Sequence, residues 1–133
     1  MAWVVDTCLL IDVAENDPDW GKKSAKRLDS KQSEGLVLCP ISYIELGPVF
    51  EGQPSLQEEF LKNLGIHWIE PWIWQDAKEA YEAWFRYVQL KRLSKCSKRP
   101  IADILIGAFA MRFDGLLTRN ERDFARVFPM LKM

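Results

Sequence analysis

The chain alternates short apolar runs with longer stretches in which apolar positions recur every three to four residues. Trp3-Val4-Val5, Leu36-Val37-Leu38-Cys39, Ile66 to Glu70 and Leu116-Leu117-Thr118 are short, apolar and bounded by polar or turn residues, so each predicts a strand. Leu56, Phe60, Leu61 and Leu64 fall on one face of a helix over Ser55 to Leu64, and Gly65 stops it. The longest periodic stretch runs from Ile73 to Leu93. It sets Ala77, Ala80, Tyr81, Trp84, Phe85 and Val88 on one stripe, predicted to be buried. Pro100 opens the next helix, because its missing N–H falls among the unpaired donors of a first turn. The run that follows, through Met111, is apolar nearly all round and is therefore expected to be central. Shorter helices are predicted over Thr7 to Val13, Trp20 to Gln32, from Pro40 through Glu45 to the breaker Gly47-Pro48, and over Glu121 to Val127. Asn16-Asp17-Pro18-Asp19 reads as a turn, and Ser94 to Arg99 as a basic connector.

Short strands separated by helices imply an α/β chain with a mostly parallel sheet. Ligands of such sheets bind beyond the carboxyl ends of the strands. Asp6 and the segment Thr118-Arg119-Asn120 lie at two of those ends.

Composition narrows the picture. The chain has 133 residues, 48% of them hydrophobic, which fits one globular domain over 1–133. No apolar run approaches the ~20 residues of a membrane span. Asp6 and Asp12 interrupt what would otherwise resemble a secretion signal, so a cytoplasmic location is expected. The three cysteines, Cys8, Cys39 and Cys96, are far apart and form no C-x-x-C pair, which reads as reduced thiols. His67 is the only histidine, which excludes two-histidine catalysis and a His-rich metal site, and it is expected to be structural.

The net charge of −1 gives the molecule no general attraction for nucleic acid. The charge is uneven, however. Lys91, Arg92, Lys95, Lys98 and Arg99 form a basic run without an acid, and Arg112, Arg119, Arg122 and Arg126 follow. Such a run is either a solvated helix end or a phosphate-binding rim. Lys22, Lys23, Lys26 and Arg27 are read as the solvated face of a helix, with RNA contact as the alternative. Trp68, Trp72, Trp74 and Trp84 read as core packing, with a partner-binding groove as the alternative.

The candidate chemistry lies in Asp6, Glu45, Asp103, Asn120 and Asp123. Each has a structural explanation. Asp6 suits the N-cap of a helix starting at Thr7. Ser42-x-x-Glu45 matches a capping box. Asp103 suits the positive end of the helix after Pro100. Asn120-x-x-Asp123 resembles an N-cap with its third helical residue. Jointly they suggest something else, because carboxylates brought together repel and raise one another's pKa unless a cation compensates them. Oxygen donors without histidine or thiolate favour Mg²⁺, with Mn²⁺ as a substitute. The chemistry this suits is hydrolysis of a phosphodiester by metal-activated water.

Four segments carry a resemblance: Asp6-Thr7 after an apolar strand; Ile41-Ser42-x-x-Glu45-Leu46; Arg99-Pro100-Ile101-x-Asp103-Ile104-Leu105-Ile106-x-Ala108; and Leu117-Thr118-Arg119-Asn120-x-x-Asp123-Phe124. In this order and spacing the chain resembles the PIN-domain ribonucleases, and among them the toxins of VapBC toxin–antitoxin pairs (VapC-type). The resemblance implies a three-layer α/β/α sandwich with a short, mostly parallel central sheet. It implies a Mg²⁺-dependent endoribonuclease acting on RNA, with a cognate antitoxin and a homodimer as partners and no membrane association. It makes Asp6, Glu45, Asp103 and Asp123 catalytic and metal-binding residues, with Thr7 and Asn120 supporting. Lys95, Lys98, Arg99 and Arg119 would then flank the RNA path. Cys8 departs from the usual small or hydroxyl residue and is assigned to packing. Gly47-Pro48 after Glu45 is also unusual. A catalytically silent PIN-like domain that binds RNA or protein is the alternative. An aspartate-nucleophile phosphatase fits less well, because Asp6 is followed by Thr7-Cys8 and not by x-Asp.

Overall fold

Strands β1 (Trp3–Val5), β2 (Leu36–Val37), β3 (Ile66–His67) and β4 (Gly115–Leu117) form a four-stranded sheet in the order β3-β2-β1-β4. Every pairing is parallel, with Trp3 opposite both Leu36 and Gly115 and Val4 opposite both Val37 and Leu116. The structure is a computed structural model and describes residues 2–92 and 101–133. Its helices are α1 (Thr7–Ala14), α2 (Gly21–Lys31), α3 (Pro40–Glu45), α4 (Pro54–Asn63), α5 (Trp74–Arg92), α6 (Ile101–Ala110) and α7 (Glu121–Val127). A 3-10 turn over Gly47–Phe50 follows α3, where Gly47-Pro48 was expected to break the helix. None of the described helices is long and apolar enough to cross a membrane.

The side-chain alternation of the strands explains the layering. Val4, Val37 and Leu116 point to one face and join a core built by α5, α6 and α7. Val5, Leu36 and Leu117 point to the other and join Leu9 and Leu10 of α1, Leu28 of α2 and Leu61 of α4. Both faces of the sheet are therefore covered by helices, as an all-parallel sheet requires. The helix α6 is the central one, with Ile104 and the whole of Ile106 to Ala110 buried. Gly107 is needed there, because a Cβ would come within 2.2 Å of the Phe128 ring. The outer edge of β4 is not left open: the Leu116 N–H donates to the Lys132 carbonyl at 2.9 Å.

Three expectations change. The strand foreseen over Ile66 to Glu70 ends at His67, and Ile69 is exposed. Its partner β2 stops early because Pro40 starts α3, so the last backbone bond of the pair runs from the Leu38 N–H to the His67 carbonyl, 2.8 Å. His67 itself is exposed and lies 3.6 Å from Glu70. The buried stripe of α5 is also different. The buried residues are Asp76, Ala80, Ala83 and Tyr87, while Tyr81 and Phe85 face solvent. The small side of α5 packs on α6, since alanines let two helix backbones approach closely. Finally, the tryptophans divide: Trp72 stacks on Phe109 and Trp68 is partly buried, whereas Trp74 is 78% exposed.

Candidate metal centre

In the order β3-β2-β1-β4, the chain winds outward from β1 on one side and returns to its other side with β4. The crevice of such a sheet lies at the carboxyl ends of the two strands where winding reverses, here β1 and β4. Asp6 follows β1 and Thr118 follows β4, and the Asp6 N–H donates to the Leu117 carbonyl at 2.9 Å.

The Asp6 carboxylate is 3% exposed. Its Oδ2 accepts the Thr118 hydroxyl at 2.7 Å and the Cys8 thiol at 3.3 Å. Among the described residues it forms no ion pair. Burial pushes its pKa above the ordinary value, and the nearby Glu45 charge adds to the rise. The hydrogen bonds from Thr118, Cys8 and the Thr7 amide act in the opposite direction without overcoming burial. Glu45 closes α3, and its Oε1 accepts the Thr7 hydroxyl at 2.6 Å. Thr7 Oγ1 also lies 2.9 Å from Ser42 Oγ, so Thr7 and Ser42 fix the side on which Glu45 sits. Asp6, Thr7, Cys8, Ile11, Glu45 and Asn120 line a cavity of about 240 Å³.

The capping explanations do not account for these side chains. Asp6 occupies the N-cap position of α1, yet its side chain makes no cap bond. Cys39, not Ser42, precedes α3, and Glu45 is engaged by Thr7. Asn120 is the N-cap of α7 by backbone position only, and its N–H donates to Thr118 Oγ1 at 3.0 Å.

Asp103 and Asp123 are placed differently. Asp103 is half-buried in the first turn of α6, and Asp123 is exposed in the first turn of α7. Neither lines the cavity. Among the described residues no group of three or more His, Cys, Asp or Glu is arranged to hold a metal ion. The expected gathering of four carboxylates is thus reduced here to Asp6 and Glu45 with Asn120 beside them. Repulsion between like charges opposes a closer approach, and each side chain rests where its donors hold it.

The donor set of the cavity nevertheless fits a hard cation. It offers carboxylate, amide and hydroxyl oxygens. Its one sulfur is not a thiolate, because burial pushes the Cys8 pKa up to about 12, with the Asp6 charge adding to the rise.

Arg119 does not point freely toward this cavity. Its Nε and Nη2 donate to the buried carboxylate of Asp12 at 3.0 and 3.1 Å, and its guanidinium lies 5.0 Å from the centre of the Trp20 ring. Lys95, Lys98 and Arg99 lie outside the described residues. Three contributors were not singled out from sequence: Thr118 and Cys8, which hold Asp6, and Ser42, which holds Thr7. Thr118 was legible in principle as a hydroxyl at the end of a strand. Cys8 was assigned to packing, and it is a donor to the site.

The PIN domain family matches residues 3–128 of this chain, and the chain belongs to that family. PIN domains are typically metal-dependent nucleases. No match is found among curated proteins or among solved structures.

Proposed function

We propose that the protein is a divalent-cation-dependent endoribonuclease of PIN type, acting as the toxin of a toxin–antitoxin pair. One observation carries the reading: a carboxylate buried beside a second acid, without a cationic partner among the described residues, at the switch point of a PIN-family sheet. Uncompensated burial of this kind is costly and is characteristic of functional sites.

Asp6 and Glu45 are the residues that hold Mg²⁺ or Mn²⁺, with Asp103 and Asp123 completing the acidic set. Such an ion supplies electrostatic stabilisation to a phosphodiester undergoing hydrolysis. Thr118 and Cys8 fix the orientation of Asp6, and Thr7 fixes that of Glu45. Asn120, whose side chain is not used as a cap, is placed to donate to a phosphate oxygen. The exposed aromatic side of α5, formed by Trp74, Tyr81 and Phe85, supports an antitoxin or a second copy as partner.

The test is cleavage of single-stranded RNA in Mg²⁺ or Mn²⁺ by the wild type, Asp6→Asn and Asp103→Asn. Cleavage by the wild type that chelation abolishes and both variants lose is expected. Equal activity in all three contradicts the assignment. The separation of Asp103 and Asp123 from the cavity favours a second reading, a PIN-like domain that holds RNA or protein without turnover. RNA binding without cleavage in either metal selects it.

A further inference from the structure

A second cavity, also about 240 Å³, adjoins the acidic one and shares a wall with it at Thr118. Its chemistry is opposite. Trp20, Lys23, Arg27 and Arg119 line it. Trp20 stands just before α2, and its ring has the Lys23 ammonium 5.1 Å and the Arg119 guanidinium 5.0 Å from its centre. The helix α2 adds Lys22 and Lys26, both exposed. Within Gly21–Lys31 there are five basic residues and one acid, in a chain whose net charge is −1. The basic character of the molecule is thus concentrated beside the acidic cavity.

Arg119 is not the mobile element of this surface. Its bonds to Asp12 fix it, and Asp12 is itself held by the Ser24 hydroxyl at 2.7 Å. Arg119 therefore positions the Trp20 ring, while Lys22, Lys23 and Lys26 remain exposed, flexible cations. An aromatic ring bordered by exposed lysines is the combination that takes single-stranded nucleic acid, one group for the base and the others for the phosphates.

We propose that Trp20 with Lys22, Lys23 and Lys26 forms a subsite for a nucleotide flanking the scissile bond of single-stranded RNA. The base stacks on Trp20, taking the place of the Lys23 ammonium, and the lysines meet the adjoining phosphates. The shared Thr118 wall sets the subsite next to Asp6. The inference rests on the nuclease reading for the location of the scissile bond, but its test is binding.

The experiment measures fluorescence anisotropy of a short labelled single-stranded RNA in EDTA, with wild type, Trp20→Ala, Trp20→Phe, Lys23→Ala/Lys26→Ala and the α5 control Lys78→Ala. Loss of one base stack weakens binding by roughly tenfold in Trp20→Ala, and Trp20→Phe retains most of the affinity. The double lysine variant lowers the slope of log K against log salt by about 1. Lys78→Ala binds as the wild type does, and thermal melts establish that each variant is folded. Equal affinity of Trp20→Ala and the wild type overturns the subsite, as does a wild type without affinity for RNA. Competition by polyglutamate that is indifferent to Trp20 also overturns it and assigns the surface to an acidic polypeptide. If the wild type cleaves RNA while Trp20→Ala binds normally, the subsite fails alone. If binding depends on Trp20 and cleavage is never seen, the nuclease reading fails alone.

Discussion

Asp6 and Asp12 lie at opposite ends of one helix, and each is 3% exposed. Adjacent residues of a single loop serve them. Arg119 gives Asp12 two charge-assisted hydrogen bonds, whereas Thr118 gives Asp6 a neutral hydroxyl. Asp12 is compensated within the chain, and its environment reciprocally raises the pKa of Arg119. Asp6 is left with Glu45 as its charged neighbour and a pKa raised by burial. Burial alone therefore does not mark a functional acid. The distinguishing feature is whether the chain itself supplies the countercharge.

Asp76 belongs with Asp12. It is almost fully buried, its Oδ1 accepts Arg112 Nε at 2.7 Å, and its Oδ2 accepts both Arg112 Nη2 and the Ile73 N–H at 3.0 Å. Removing it leaves Arg112 among Phe109 and Phe113 without its partner. Asp76→Ala should cost about 4 kcal/mol in chemical denaturation, the largest effect expected. A loss under about 1 kcal/mol would mean that the pair is not structural. Asp12→Ala should cost less, about 2 kcal/mol, because Arg119 is about one-third exposed and water replaces part of what it loses. Both variants should retain their metal response where folded.

The acidic cavity should behave in the opposite way. Thr118→Val removes the hydroxyl that orients Asp6, and a fall of about tenfold in Mn²⁺ affinity by calorimetry is expected, with little change in fold. Asp6→Asn should give the smallest effect on the metal-free protein and the opposite sign: a Tm a few degrees higher at pH 7. The sign follows from linkage. The folded pKa of Asp6 lies above its ordinary value of 3.8, so the folded state holds an extra proton between the two. Stability falls as pH rises through that window, and the asparagine variant is spared this loss. A lower Tm for Asp6→Asn across the pH range would place Asp6 with Asp12.

Much of the fold was legible because alternation and helical period are local signals. The bounds of β1 and α7 coincide with those read from the residues, and the parallel sheet follows from strands separated by helices. The α5 face was not legible, because a hydrophobic stripe favours Tyr81 and Phe85 over the small Ala80 and Ala83 that permit close helix contact. Asp76 was invisible for a related reason: its compensation comes from Arg112, distant in sequence. Within the candidate site, the order of the motifs pointed to Asp6, Thr7, Glu45 and Asn120, which line one cavity. The roles of Cys8 and Thr118 depend on which strand ends meet, and Arg119 could be told from a free cation only once Asp12 was seen beneath it.

The most direct measurement is the change in Tm on adding Mg²⁺ or Mn²⁺ to the wild type, Asp6→Asn, Glu45→Gln and Asp12→Asn. A cation bound at the acidic cavity raises the Tm of the wild type in proportion to the logarithm of its concentration. Asp12→Asn should keep that rise from a lower starting point, and Asp6→Asn and Glu45→Gln should lose it. A wild type indifferent to both ions, or an Asp6→Asn variant that responds as the wild type does, would contradict the assignment of Asp6 as the uncompensated acid that binds the metal.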